Sequence, residues 1–126
     1  MMPMATMTAF AATNTKIVIK AATERIDVGG EFTAKGWLKY TDGRGIQGKT
    51  VVARINSSLP EATKIGEATT NDKGEFEITV DTSKIEDLLT PNAYTIYFCF
   101  DGDASYRPID LSKSLIVVGK VAATQA

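Results

Sequence analysis

The sequence predicts an all-β fold, a sandwich of two packed sheets built from seven short strands. Three observations lead there. Apolar and polar residues alternate with a period of two over short stretches, as half-buried strands require. The stretches are separated by connectors rich in Gly, Asp and Asn, which supply turn conformations. Helical periodicity is nearly missing, and 126 residues is the size of one domain with one hydrophobic core.

Taken in order, the strands are TKIVIKA (15–21), EFTAKGWLKY (31–40), TVVARI (50–55), TKIGEATT (63–70), EFEITV (75–80), AYTIYFCF (93–100) and SLIVV (114–118). The connector TDGRGIQG follows the second strand, NDKG joins the fourth to the fifth, and DGD follows the sixth. Each places Gly, Asn or Asp where positive φ is needed. One helix-like piece, TSKIEDLL, is expected to form a single turn capped by Thr82 or Ser83, because Pro91 forbids continuation. Residues 1–14 read as an N-terminal extension, 15–118 as the sandwich and 119–126 as a C-terminal tail.

The run VGGEFTAKGWLKYTDGRGIQGKTVVARI, followed by TTNDKGEFEITV and NAYTIYFCFDGDASYRPIDLSKSLIVV, resembles the bacterial and archaeal immunoglobulin-like domains of surface-layer, adhesin and invasin-type proteins. The landmarks are Gly30 before the second strand, Gly36 and Leu38 within it, the NDKGEF turn, and Phe100-Asp-Gly-Asp with Tyr106 soon after. The resemblance covers residues 15–118 and implies a seven-stranded immunoglobulin-like Greek-key β-sandwich. A carboxypeptidase-regulatory or transthyretin-like sandwich shares the T-x-x-x-G-x-F turn, but the FDGDASY ending favours the first family. The implied role is that of a non-catalytic structural or adhesive module on a virion, cell-surface layer or filament, with protein partners. The alternative is a carbohydrate- or Ca²⁺-binding module of a surface protein, with a glycan partner.

Composition narrows the chemistry. The chain has no histidine, which removes the commonest general base and metal ligand. Its single cysteine, Cys99, has no partner for an intrachain disulfide. Fourteen basic and fifteen acidic residues leave a net charge of -1, so no nucleic-acid partner is expected. No apolar run reaches the eighteen or so residues of a membrane-spanning helix, and no membrane insertion is expected. No cofactor and no catalytic residue is assigned. Ala9-Phe10-Ala11 has the small-x-small look of a signal-peptidase site, yet no basic segment precedes it. The expectation is a freestanding domain without a complete signal peptide.

Alternation assigns faces. Phe32, Ala34, Gly36, Leu38 and Tyr40 are read as core, as are Phe76, Ile78 and Val80, Ile17 and Ile19, and Tyr94, Ile96, Phe98 and Phe100. Val51, Ala53, Ile55, Leu115 and Val117 complete the core. The first sheet then has a lysine and glutamate exterior of opposed charges, interrupted by Trp37. On the second sheet Val52, Arg54, Tyr97, Cys99, Ile116 and Val118 point outward, a patch of roughly a few hundred Å². The expected interface comprises Val52, Tyr97, Cys99, Ile116 and Val118, with Trp37 on the opposite face. Met4, Met7 and Phe10 are added from an uncharged arm, residues 1–13, that lies against an adjacent subunit.

Asp42, Asn71, Asp72, Asp101, Asp103 and Asp110 fall in turns, and Asp101 with Asp103 is the best candidate pair for a hard cation. No stretch follows a calcium-loop pattern, so turn formation is the favoured role and no metal ligand is assigned. Gly43, Gly45 and Gly48 lack the Gly-Lys-Ser/Thr ending of a phosphate loop and read as a turn. Cys99 has no histidine to activate it as a nucleophile.

Overall fold

A computed structural model describes residues 12–119. The strands are β1 (Thr15–Ala22), β2 (Arg25–Asp27), β3 (Glu31–Tyr40), β4 (Thr50–Ile55), β5 (Lys64–Thr69), β6 (Glu75–Asp81), β7 (Asn92–Phe100) and β8 (Ile109–Val118). One sheet has the order β1-β3-β6 and the other β2-β8-β7-β4-β5. Every pairing is antiparallel except that of β2 with β8. Met4, Met7 and Phe10 lie outside the described residues.

The core follows the expected parity. Phe32, Ala34, Leu38, Phe76, Ile78, Ile96, Phe98 and Leu115 are all buried between the sheets. The Phe98 ring of one sheet meets Phe32 and Phe76 of the other at centroid distances of 6.3 and 6.4 Å, within the range of favourable aromatic contact. Gly36 is required where β1 crosses closest to β3, because a Cβ there would stand 2.3 Å from the Val18 carbonyl oxygen. Tyr94, at the start of β7, donates its hydroxyl to the Thr90 carbonyl at 2.6 Å. This is the arrangement of a tyrosine corner, which pins the crossing into that strand.

Three elements differ from the sequence-based expectation. The strands number eight, because β2 is present. β1 stays paired with β3 beyond a bulge between Ile19 and Ala21, as far as Ala22, and β2 then joins the second sheet alongside β8. Ile116 N–H donates to the Glu24 carbonyl and Val28 N–H to the Val118 carbonyl, both at 2.9 Å. Three residues carry no detectable period, so only the partner strand makes β2 a strand. Likewise β8 begins at Ile109 rather than at residue 114, since Phe100 pairs with Ile109 and Phe98 with Leu111 despite the polar residues between.

The helix-like piece forms two 3₁₀ turns, Thr82–Lys84 and Glu86–Leu88. The cap is Asp81, whose carboxylate accepts from Ser83 N–H at 3.0 Å and Ser83 Oγ at 2.7 Å. Thr82 is buried instead, with Oγ1 donating to the Gly30 carbonyl at 2.5 Å. Upstream of β1, Thr13 forms an isolated parallel bridge with Tyr106.

Phe98 and Leu38 are both fully buried. Phe98→Ala and Leu38→Ala are each expected to lower unfolding free energy by about 2–5 kcal/mol, measured by urea denaturation. A loss below about 1 kcal/mol at either position would contradict the assigned core.

Candidate functional site

The outward face of the five-stranded sheet is not the open apolar patch expected of it. Val52 and Cys99 are only 8% and 2% exposed, and Arg54 is buried with them. Parity is correct, for Val52 and Cys99 stand apart from the inter-sheet core cluster. The correction concerns what lies above them. Between β4 and β5 the chain turns back over this face at Asn56, whose φ of 61° is left-handed. Arg54 Nη1 then donates to the Ser58 carbonyl at 3.3 Å, and the Cys99 thiol lies 3.8 Å from the same oxygen. Burial raises the Cys99 thiol pKa, which disfavours the thiolate a nucleophile needs.

The remaining outward residues do not form one patch. Tyr97 pairs with Arg54 and Ser112, whereas Ile116 pairs with Ala93 and Arg25. Four residue steps along β8, about 13 Å, separate the two rows, and Lys113 and Ser114 between them are exposed. Ile116 is 41% exposed, and Tyr97 and Val118 are half-buried.

The acidic turns are occupied by the fold itself. Asp101 accepts a bidentate pair from Arg54, with Nη1–Oδ1 at 2.9 Å and Nη2–Oδ2 at 2.8 Å. These bonds hold the Asp101 carboxyl below its usual pKa and keep the buried guanidinium protonated. Asp103 pairs with Lys49 at 2.6 Å and caps the N–H groups of Ser105 and Tyr106. Asp42 accepts from the backbone and guanidinium of Arg44, and Asn71 Oδ1 accepts from the N–H groups of Lys73 and Glu75. Among the described residues there is no group of three or more His, Cys, Asp or Glu that could hold a metal ion. Tyr106, the aromatic closest to these acids, has Phe100 and Tyr40 against its ring and Lys49 over it. Its hydroxyl shares a 2.8 Å hydrogen bond with that of Tyr40.

The outer face of the three-stranded sheet presents a different surface. Its central row is Val18–Trp37–Glu75, with Trp37 half-buried. Lys35 opposes Glu77 at an N–O distance of 4.0 Å. The expectation of opposed charges fails on the other side of Trp37, where Lys16 stands opposite Lys39. Like charges there repel, and the Lys39 ammonium sits over the Trp37 ring, 4.9 Å from its centroid. Beside Trp37 a groove of about 360 Å³, lined by Lys20, Lys35, Glu75 and Glu77, reaches past the edge of this sheet to Asn71 and to Ala68 and Thr69 of β5. The sequence showed Trp37 as an outward aromatic; the groove required strands of both sheets. Among the described residues, no helix is long and apolar enough to cross a membrane.

These features define an all-β, two-sheet sandwich domain with one tryptophan-centred groove. No family model and no curated protein matches the chain. Among solved structures it is similar to domains 4 and 5 of the S-layer protein SbsC, at 16% identity and a TM-score of 0.47. That match covers 82% of this chain and 51% of the other. It is also similar to β-glucosidase from Listeria innocua in complex with glucose, at 9% identity and a TM-score of 0.48. There the match covers 87% of this chain and 17% of the other. The chain thus spans about half and about a sixth of these two proteins. One is a surface-layer protein and the other a glycosidase, so the likenesses assign no activity.

Asp101 has a lower pKa in the folded chain than the carboxylate value of about 4 expected after unfolding. Its stabilising effect is complete above that value and is lost as pH falls through the folded pKa. Asp101→Asn is expected to cost about 1–3 kcal/mol at neutral pH, by leaving the buried Arg54 without its carboxylate. Urea midpoints of wild type and variant should converge as pH drops toward 2. A gap that persists at low pH would contradict the pairing.

Proposed function

We propose that this chain is a non-catalytic immunoglobulin-like Greek-key module with a structural or adhesive role. It docks on a larger extracellular assembly, a virion or a cell-surface layer or filament, through a sheet face. The observation that carries this reading is the contrast between the acidic turns and the Trp37 face. The turn carboxylates Asp42, Asp101 and Asp103 are bound to neighbouring groups of the same fold. Trp37 instead stands at the centre of a sheet face beside a groove. Tryptophan is the side chain most enriched where binding energy concentrates. Trp37 therefore replaces Tyr97, Ile116 and Val118 as the centre of docking, and those three separated residues serve as secondary contacts.

Trp37→Ala is expected to leave the melting temperature within roughly 4–8 °C of wild type, the equivalent of about 1 kcal/mol. Retention of the purified domain on envelopes or particles of its source should fall about tenfold or more. Retention unchanged by the substitution would refute docking through this face.

In the same reading the uncharged segment bearing Met4, Met7 and Phe10 contacts a neighbouring subunit of the assembly. Methionine and phenylalanine suit an adaptable apolar contact. Deleting residues 1–11 is expected to preserve the monomer's melting temperature and reduce its incorporation into the native assembly. Normal incorporation of the shortened chain would remove that role.

A further inference from the structure

We infer that the groove beside Trp37 binds a neutral saccharide chain, so that the docking surface proposed above recognises a glycan. The inference rests on that reading and names the partner of the same face. The groove's volume of about 360 Å³ falls in the range of small-ligand sites, about 300–1,000 Å³. It extends from the three-stranded sheet past β6 to Ala68 and Thr69 of β5 in the other sheet, a length that suits an extended chain.

The lining chemistry selects the ligand. Trp37 offers a flat apolar ring, against which the C–H face of a sugar ring packs. Lys20 and Lys35 are donors and Glu75 and Glu77 acceptors, a set matched to a ring of hydroxyl groups, whereas the Asn71 amide is committed to Lys73 and Glu75 within its own turn. Two positive and two negative side chains balance, so the groove has no attraction for a polyanion such as nucleic acid. A protein partner fits less well, because the cores of protein interfaces are depleted in Lys and Glu. Lys39, which covers the Trp37 ring, is not among the residues lining the groove, so the ring has another side to present there. Lys35 and Glu77 are 52% and 57% exposed and only 4.0 Å apart, a weak pair that hydroxyl groups can replace at small cost.

Trp37 is the only tryptophan in the chain, so intrinsic fluorescence reports this site alone. The full chain, Trp37→Ala and Glu77→Gln are screened against an array of short neutral oligosaccharides. Hits are titrated by calorimetry, and by tryptophan emission for the chains that keep Trp37. Thermal melting confirms that each variant is folded. The expected result is an emission shift on binding, an affinity loss of about tenfold or more in Trp37→Ala, and a smaller loss in Glu77→Gln. Periodate oxidation of source envelopes, which cleaves vicinal diols, should abolish retention of the wild-type domain. If no oligosaccharide binds and Trp37-dependent retention survives periodate, the saccharide inference falls while the docking face stands. If retention is indifferent to Trp37, both fall.

Discussion

Contact of the Phe98 ring with Phe32 and Phe76 across the sandwich is the constraint on which the rest of the molecule depends. It joins β7 of one sheet to β3 and β6 of the other, and it fixes which parity of each strand points inward. Once Phe32 and Leu38 face the core, Trp37 must face outward between Lys35 and Lys39. Once Phe98 and Phe100 face the core, Tyr97 and Cys99 must point to the opposite side of their sheet. A one-residue slip in either strand would exchange these sets entirely. The hydrophobic packing that stabilises the domain therefore also decides which side chains are available to a partner.

Outward direction and exposure are separate properties in this fold. On the five-stranded sheet the chain after β4 adds cover, and the backbone carbonyl of Ser58 gives the Arg54 guanidinium a polar partner beneath it. A buried guanidinium without such partners would be costly. Asp101, with its side chain about half exposed, completes the charge balance from the side that meets water. The acidic turn after β7 thus fastens the sheet to the loop above it. Asp103 ties the same turn to Lys49, just before β4. Carboxylates committed to caps and ion pairs are poorly placed to gather around a cation, since each would lose a hydrogen bond made within the fold.

The two sheet faces consequently differ in the kind of contact each favours. The five-stranded face carries Ile116 and Tyr97 as separated apolar positions with serines between them. The three-stranded face carries one aromatic ring within a mixed field of ammonium and carboxylate groups. Repulsion between Lys16 and Lys39 across β1 and β3 is eased where the Lys39 ammonium finds the indole. Such a surface is wet and hydrogen-bonding around a single apolar platform. That combination differs from the dry apolar core of a protein interface.

The sequence by itself determined the all-β class, seven of the eight strands and most of the core, although Ile26, Ile46, Ile65 and Leu88 were missed and Ile19, Tyr40 and Val80 are only partly buried. Those properties are written in local alternation and in the turn residues that punctuate it. Trp37 was legible as an outward aromatic for the same reason. Tertiary structure decided the rest. β2 has three residues and exists only because β8 offers its edge, and the first half of β8 is a strand because β7 pairs with it. Val52, Arg54 and Cys99 point outward as their parity demands, yet all three are buried, Arg54 and Cys99 beside the Ser58 carbonyl of the loop after β4. Period-two patterning records the direction of a side chain relative to its own strand. Exposure, and the groove beside Trp37, depend on segments distant in the chain that no local period can register.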